Sequence, residues 1–200
     1  MTASESPSLA MSFELIRSRF CDPDFREGKG LGNEVPFFVF SYDAKKENEV
    51  REHTEELLRA SQAGEIPTRI VHFDLWDIFC SICEHFEILD DLKRLEEWQG
   101  TDAVLQQIRE LAMPEDYVSV MADRYESEYG GTEPGRDVVL ITGVGKVYPF
   151  TRAHDILENA QPVLSDVPLV IFYPGVYDGQ SLRLFGSIAD GNYYRAFTLL

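Results

Sequence analysis

The chain has 200 residues, 44% of them hydrophobic and 26% charged, and a formal net charge of −17. A chain of this size buries a sizeable core, and the expectation is one domain over residues 1–200. The charge argues against a free-standing DNA binder and against an anchor on anionic lipid, because both need a basic footprint.

The charge is uneven. From residue 131 onward seven acids face five bases, which leaves −15 on residues 1–130. That half carries either solvated helix faces or an acidic surface that steers a basic partner. Cys21, Cys80 and Cys83 make no disulfide framework in a chain this long. No apolar run reaches membrane length, and the opening MTASESPSLA lacks the parts of a signal peptide. These features predict a cytoplasmic protein with reduced thiols and no membrane partner.

In chain order, residues 13–20 read as a short amphipathic helix with Phe13, Ile16 and Phe20 on one side. Residues 21–32 read as loop; the run Gly28-Lys29-Gly30 lacks the spacing of a phosphate loop. Residues 35–41 (VPFFVFS) form a buried strand, and Asp43 caps a helix over about 44–60. A second strand, 68–73, is followed by Asp74 as the cap of a helix from 75 to about 89. Residues 90–98 continue that helix or break it briefly, further helices follow over about 102–111 and 114–128, and residues 130–135 form a joint. Residues 138–142 and 167–173 are apolar strands, with a glycine loop and a helix over about 149–159 between them. The second strand ends at Pro174-Gly175. Residues 181–185 and 194–200 read as short strands with a turn at Gly191-Asn192.

Strands alternating with helices predict an α/β fold with a mostly parallel sheet, helices on both faces and a helical insertion around residues 75–129. Ligands and partners of such sheets meet the loops at the carboxyl ends of the strands. Those loops hold residues 142–152 and 173–178.

Four groupings invite chemistry. Gly145-Lys146 resembles the end of a Walker A loop, but Leu140 replaces its first glycine and Val147 its hydroxyl residue. The glycines are read as structural, with a degenerate anion site as the alternative, and no cofactor is expected. Arg152, near a helix start, is expected to pair with Asp155 or Asp178, or to grip a partner's carboxylate or phosphate. Cys80, Cys83 and His85 resemble half of a zinc site but lie in an apolar helical pattern without a second pair, which favours core packing and no metal. Tyr193, Tyr194 and Arg195 form an aromatic and basic run suited to a binding hot spot, or to a strand that closes the core.

The runs Thr142-Gly143-Val144-Gly145, Tyr148-Pro149-Phe150-x-Arg152-x-His154, Phe172-Tyr173-Pro174-Gly175-x-Tyr177-Asp178-Gly179, Leu184-Phe185-Gly186 and Asn192-Tyr193-Tyr194-Arg195-Ala196-Phe197 resemble the BrxB family, the small component of BREX bacteriophage-exclusion systems. The specific part covers residues 138–197. The resemblance implies a bacterial protein working beside a methyltransferase (PglX), the alkaline-phosphatase-like PglZ and the large ATPase BrxC. The resulting expectation is a non-enzymatic scaffold that does not bind DNA by itself. Its partner-binding residues are expected to be Arg152, Tyr177, Asp178, Tyr193, Tyr194 and Arg195, with Arg152 and Asp178 paired across the loops. The rival readings are a degenerate nucleotide-binding domain and a hydrolase acting on nucleic acid.

Overall fold

The computed structural model describes residues 8–29, 36–192 and 196–200. The chain begins with helix α1 (Leu9–Cys21) and the single turn α2 (Pro23–Arg26). Strand β1 (Phe37–Tyr42) leads through a 3-10 turn into α3 (Glu47–Gln62), and Asp43 Oδ1 accepts from Lys45 N at 3.0 Å to start that turn. After β2 (Arg69–Asp74), four helices run consecutively: α4 (Leu75–His85), α5 (Leu89–Gln99), α6 (Thr101–Leu111) and α7 (Pro114–Tyr129). Then come β3 (Asp137–Thr142), the short α8 (Val144–Val147), α9 (Ala153–Ala160), β4 (Leu169–Tyr177), the hairpin strands β5 (Ser181–Leu184) and β6 (Ile188–Asn192), and β7 (Phe197–Thr198).

The sheet runs β2-β3-β4-β1-β7, with every neighbouring pair parallel. Parallel strands must be covered on both faces, and the two apolar faces are legible residue by residue. Phe38, Phe40, Tyr42, Ile70, Val138, Leu140, Val170 and Phe172 pack with α1 and α3. The alternate residues, including Phe37, Val39, Val71, Phe73, Val139, Ile141 and Tyr173, pack with α4, α7 and α9. The split follows from handedness. The crossover from β1 to β2 moves one way along the sheet, and those from β2 to β3 and β3 to β4 move the other way. Right-handed connections therefore put their helices on opposite faces.

The α/β class and the helical run after residue 75 match the sequence expectation. Three local expectations do not hold. The helix after the glycine loop starts at Ala153 rather than near Pro149. Residues 148–151 are held as a turn by Phe150 N donating to Val147 O at 2.7 Å, and the Phe150 ring stacks on Phe79. Strand β4 does not stop at Pro174-Gly175. Tyr42 is its last partner on β1, opposite Pro174, and beyond that point β4 pairs antiparallel with β5. Gly175 makes this possible, since a β-carbon there would stand 2.2 Å from the Arg183 carbonyl. Gly191-Asn192 closes strand β6 instead of forming a turn, and the reversal lies at residues 185–187.

At the amino ends of β2 and β3, Arg69 and Asp137 face each other in register. Asp137 is fully buried. Arg69 donates from Nε to Oδ1 at 2.7 Å and from Nη2 to Oδ2 at 2.6 Å, a bidentate pair. This bonding to Asp137 raises the guanidinium pKa further. Tyr125 OH and Glu133 N also donate to Oδ2, at 2.7 and 2.8 Å. Two of the three remaining guanidinium protons go to the carbonyls of Tyr129 and Gly131, at 2.7 and 2.9 Å, and Nη1 also lies 3.6 Å from Glu133 Oε1. The pair thus fastens the end of α7 and the joint after it to the sheet.

Removing one member of a buried ion pair strands the other. Asp137→Ala is expected to cost about 3–5 kcal/mol in urea denaturation. Tyr125→Phe deletes one hydrogen bond of the network and is expected to cost about 1 kcal/mol.

Candidate functional site

Opposite faces for α3 and α4 mean that the loops leaving β1 and β2 diverge at the carboxyl edge of the sheet. A cleft of about 410 Å³ opens there, at the place where open α/β sheets hold ligands. Its floor includes Val50 and Leu58 of α3 and Phe172 of β4. Tyr42, Glu47, Arg51 and Glu55 line one side, and His72, Asp74, Asp77, Thr142, Gly143, Gly145, Lys146 and Phe185 line the others.

The cleft's polar groups are connected. Asp74 ends β2, and its Oδ1 accepts from Trp76 N at 2.9 Å, capping α4 as expected. Its Oδ2 lies 2.5 Å from Lys146 Nζ. The Thr142 hydroxyl donates to the same oxygen at a long 3.5 Å and meets His72 Nε2 at 2.8 Å. Across the cleft, Tyr42 OH donates to Glu47 Oε2 at 2.6 Å. Burial, then this hydrogen bond, raises the Tyr42 phenol pKa well above its ordinary value. Burial lowers the His72 pKa, with a smaller push from Lys146, while Asp74 and Asp77 oppose it.

The glycine loop takes part in this network. Gly143 has φ +80°, and a β-carbon there would stand 2.5 Å from Asp74 Oδ1 and 3.1 Å from Leu75 N. Only glycine lets the loop after β3 approach the start of α4 so closely. The lysine that suggested a Walker loop is spent on Asp74.

The expected contact residues divide. Arg152 is exposed and forms the N-cap of α9. Asp178 is exposed too, but it does not pair with Arg152. Its Oδ1 accepts from Gln180 N and Ser181 N, and its Oδ2 accepts from Ser181 Oγ. These bonds, led by the one from Ser181 N, lower its pKa to about 2. Asp178 is therefore a turn residue within the β4–β5 reversal. Tyr177 is buried, 6% exposed, with its hydroxyl donating to Ala196 O at 2.7 Å. Tyr193, Tyr194 and Arg195 lie outside the described residues. Cys83 packs in the core on α4, where burial raises its thiol pKa to about 11; Cys80 is half-buried.

Sequence reading missed the partnership of His72, Asp74, Thr142 and Lys146. The available signal was positional: Asp74 and Thr142 are the last residues of β2 and β3 and stand opposite each other in register.

The profile of the family described as BREX protein BrxB matches residues 71–199. The chain belongs to the BrxB family. A BREX protein BrxB of Bacillus cereus (strain H3081.97) is 40% identical over 189 residues, covering 92% of this chain and 94% of that protein. Another, of Escherichia coli O9:H4 (strain HS), is 28% identical over 194 residues, covering 97% and 92%. As a BREX component the protein belongs to phage defence. No helix among the described residues is long and apolar enough to cross a membrane. The BrxB match runs from within β2 to β7 and so takes in Asp74, Thr142 and Lys146 but not α3.

Two outcomes test this geometry. Tyr177→Ala is expected to lower stability by about 3–5 kcal/mol, as for a large buried aromatic, rather than to act as a silent surface change; thermal and urea melts read it. His72 has a folded-state pKa below its unfolded value. Its contribution is therefore complete above the ordinary imidazole value and is lost as pH falls through that value toward the lowered one. Between about pH 7 and about pH 5 the parent should lose more stability than His72→Gln; equal losses would remove His72 as the cause.

Proposed function

We propose that this BrxB-family protein is a cytoplasmic, non-enzymatic scaffold that holds other BREX proteins, such as PglZ or BrxC, together. The observation that carries the reading is the α5–α6 hairpin. Leu92 is the buried residue of α5, and Ile108 that of α6. The hairpin leaves Trp98 82% exposed and Leu89 47% exposed, with Phe86 47% exposed just before it. A tryptophan held out in water is a costly arrangement for a monomer, and Trp is enriched among residues that anchor interfaces. The spent state of Lys146 and the turn role of Asp178 favour a scaffold over a nucleotide-binding domain or a nucleic-acid hydrolase. Arg152 and Asp178, both exposed, remain proposed contact residues at the strand-end loops, together with the 193–195 run. The net charge of −17 supports a protein that does not bind DNA by itself.

The test is co-purification of the tagged chain from cells carrying the complete system. A defined BREX protein is expected with the parent. Trp98→Ala should weaken that association by about 2 kcal/mol or more, with stability changed by no more than about 0.5 kcal/mol. Recovery of no BREX protein, or unchanged recovery by a folded Trp98→Ala, would overturn the reading.

A further inference from the structure

We infer that the strand-end cleft is a socket for an arginine side chain presented by a partner protein. The inference rests on the scaffold reading and assigns the cleft a ligand of defined chemistry. Three observations lead to it.

The first is charge. Four carboxylates line the cleft, Glu47, Glu55, Asp74 and Asp77, against two bases, Arg51 and Lys146. Lys146 is already neutralised by Asp74 at 2.5 Å. Glu55 and Asp77 are exposed on opposite rims, one on α3 and one on α4. An incoming anion meets a surplus of acids, whereas a guanidinium meets carboxylates on both sides.

The second is the apolar lining. Phe172, Val50 and Leu58 form the floor, while Tyr42 and Phe185 supply aromatic walls. A planar guanidinium stacks on aromatic faces while its edge donates to carboxylates, and its methylene stem packs against apolar surface. A small inorganic cation would leave this lining unused.

The third is Phe185. Its backbone lies in the left-handed region, φ +53°, which costs a non-glycine residue energy. Phe185 N donates to Pro174 O at 2.8 Å, and the ring packs against Gly145 and edge-on to Tyr148. The fold thus keeps a strained residue, 44% exposed, in the lining of the cleft. Glycine would satisfy the backbone there without strain. What phenylalanine adds is a wall.

The test uses the full chain, labelled with 15N, titrated with acetyl-Leu-Arg-Leu-amide and with its neutral isostere carrying citrulline. The arginine peptide is expected to shift the amide signals of Thr142, Gly143 and Gly145. The citrulline peptide should bind about tenfold more weakly, as expected for one lost charge-assisted contact. Phe185→Gly, which relieves the backbone, and the double variant Glu55→Lys/Asp77→Lys, which changes exposed residues, should each weaken the arginine peptide by about tenfold while keeping the dispersed spectrum of the fold. Equal binding of both peptides, shifts confined to other parts of the chain, or no shift would overturn the socket. So would ATP or inorganic phosphate moving the cleft signals where the arginine peptide does not. If the peptides fail while BREX proteins still co-purify, the socket is wrong and the scaffold stands. If the peptide binds but no BREX protein is recovered, the protein-borne source of the arginine is overturned.

Discussion

The ion pair between Arg69 and Asp137 is the constraint on which the arrangement of helices depends. A carboxylate with no exposed surface is tolerable only when its lone pairs are filled, and here a guanidinium, a phenol and a backbone amide fill them. Satisfying the pair requires α7 to end where Tyr125 can reach Asp137 and the carbonyls of Tyr129 and Gly131 can reach Arg69. The long helical excursion between those strands is thereby returned to a fixed point. The strands themselves then stay in register from Arg69–Asp137 to Asp74–Thr142. One polar cluster at the foot of the sheet therefore sets the geometry of another at its head.

The head of the sheet is shaped by direction of travel. The chain leaves β1 toward one face and leaves β2 and β3 toward the other, and among the described residues a cleft lies between the diverging loops. Gly143 pulls the loop after β3 onto the start of α4, and Asp74 bonds a helix cap, a lysine and a threonine at once. A loop that looks like a phosphate cradle in sequence is, in space, a clamp between two strand ends. A Walker loop and this clamp share one physical feature, backbone that comes close to something negative.

Much of the fold was legible because its signals are local. The apolar strands read at 35–41, 68–73, 138–142 and 167–173 stand out from their helical neighbours and correspond to β1, β2, β3 and the first part of β4, and Asp43 and Asp74 do start the next turn or helix. What failed depended on distant partners. Pro174-Gly175 reads as a stop until β5 is available to pair with it. Tyr177 reads as a surface anchor until the carbonyl of Ala196 arrives to accept its hydroxyl. Asp178 reads as a partner for Arg152 until the turn to Ser181 claims its oxygens. The cleft was legible only as a location, the carboxyl edge of the sheet, because its chemistry comes from residues on five separate segments.

The α5–α6 hairpin has a further consequence. With so little apolar surface committed to the rest of the molecule, its free energy of opening is set by a handful of contacts rather than by the sheet. Its amides should exchange with solvent well before those of β3 or β4, and it should behave as a cooperative unit of its own. Such a unit can be reordered, or melted and refolded on another surface, without disturbing the strand ends. The protein thus combines a rigid frame, pinned at both ends of the sheet, with an appendage whose conformation is inexpensive to change.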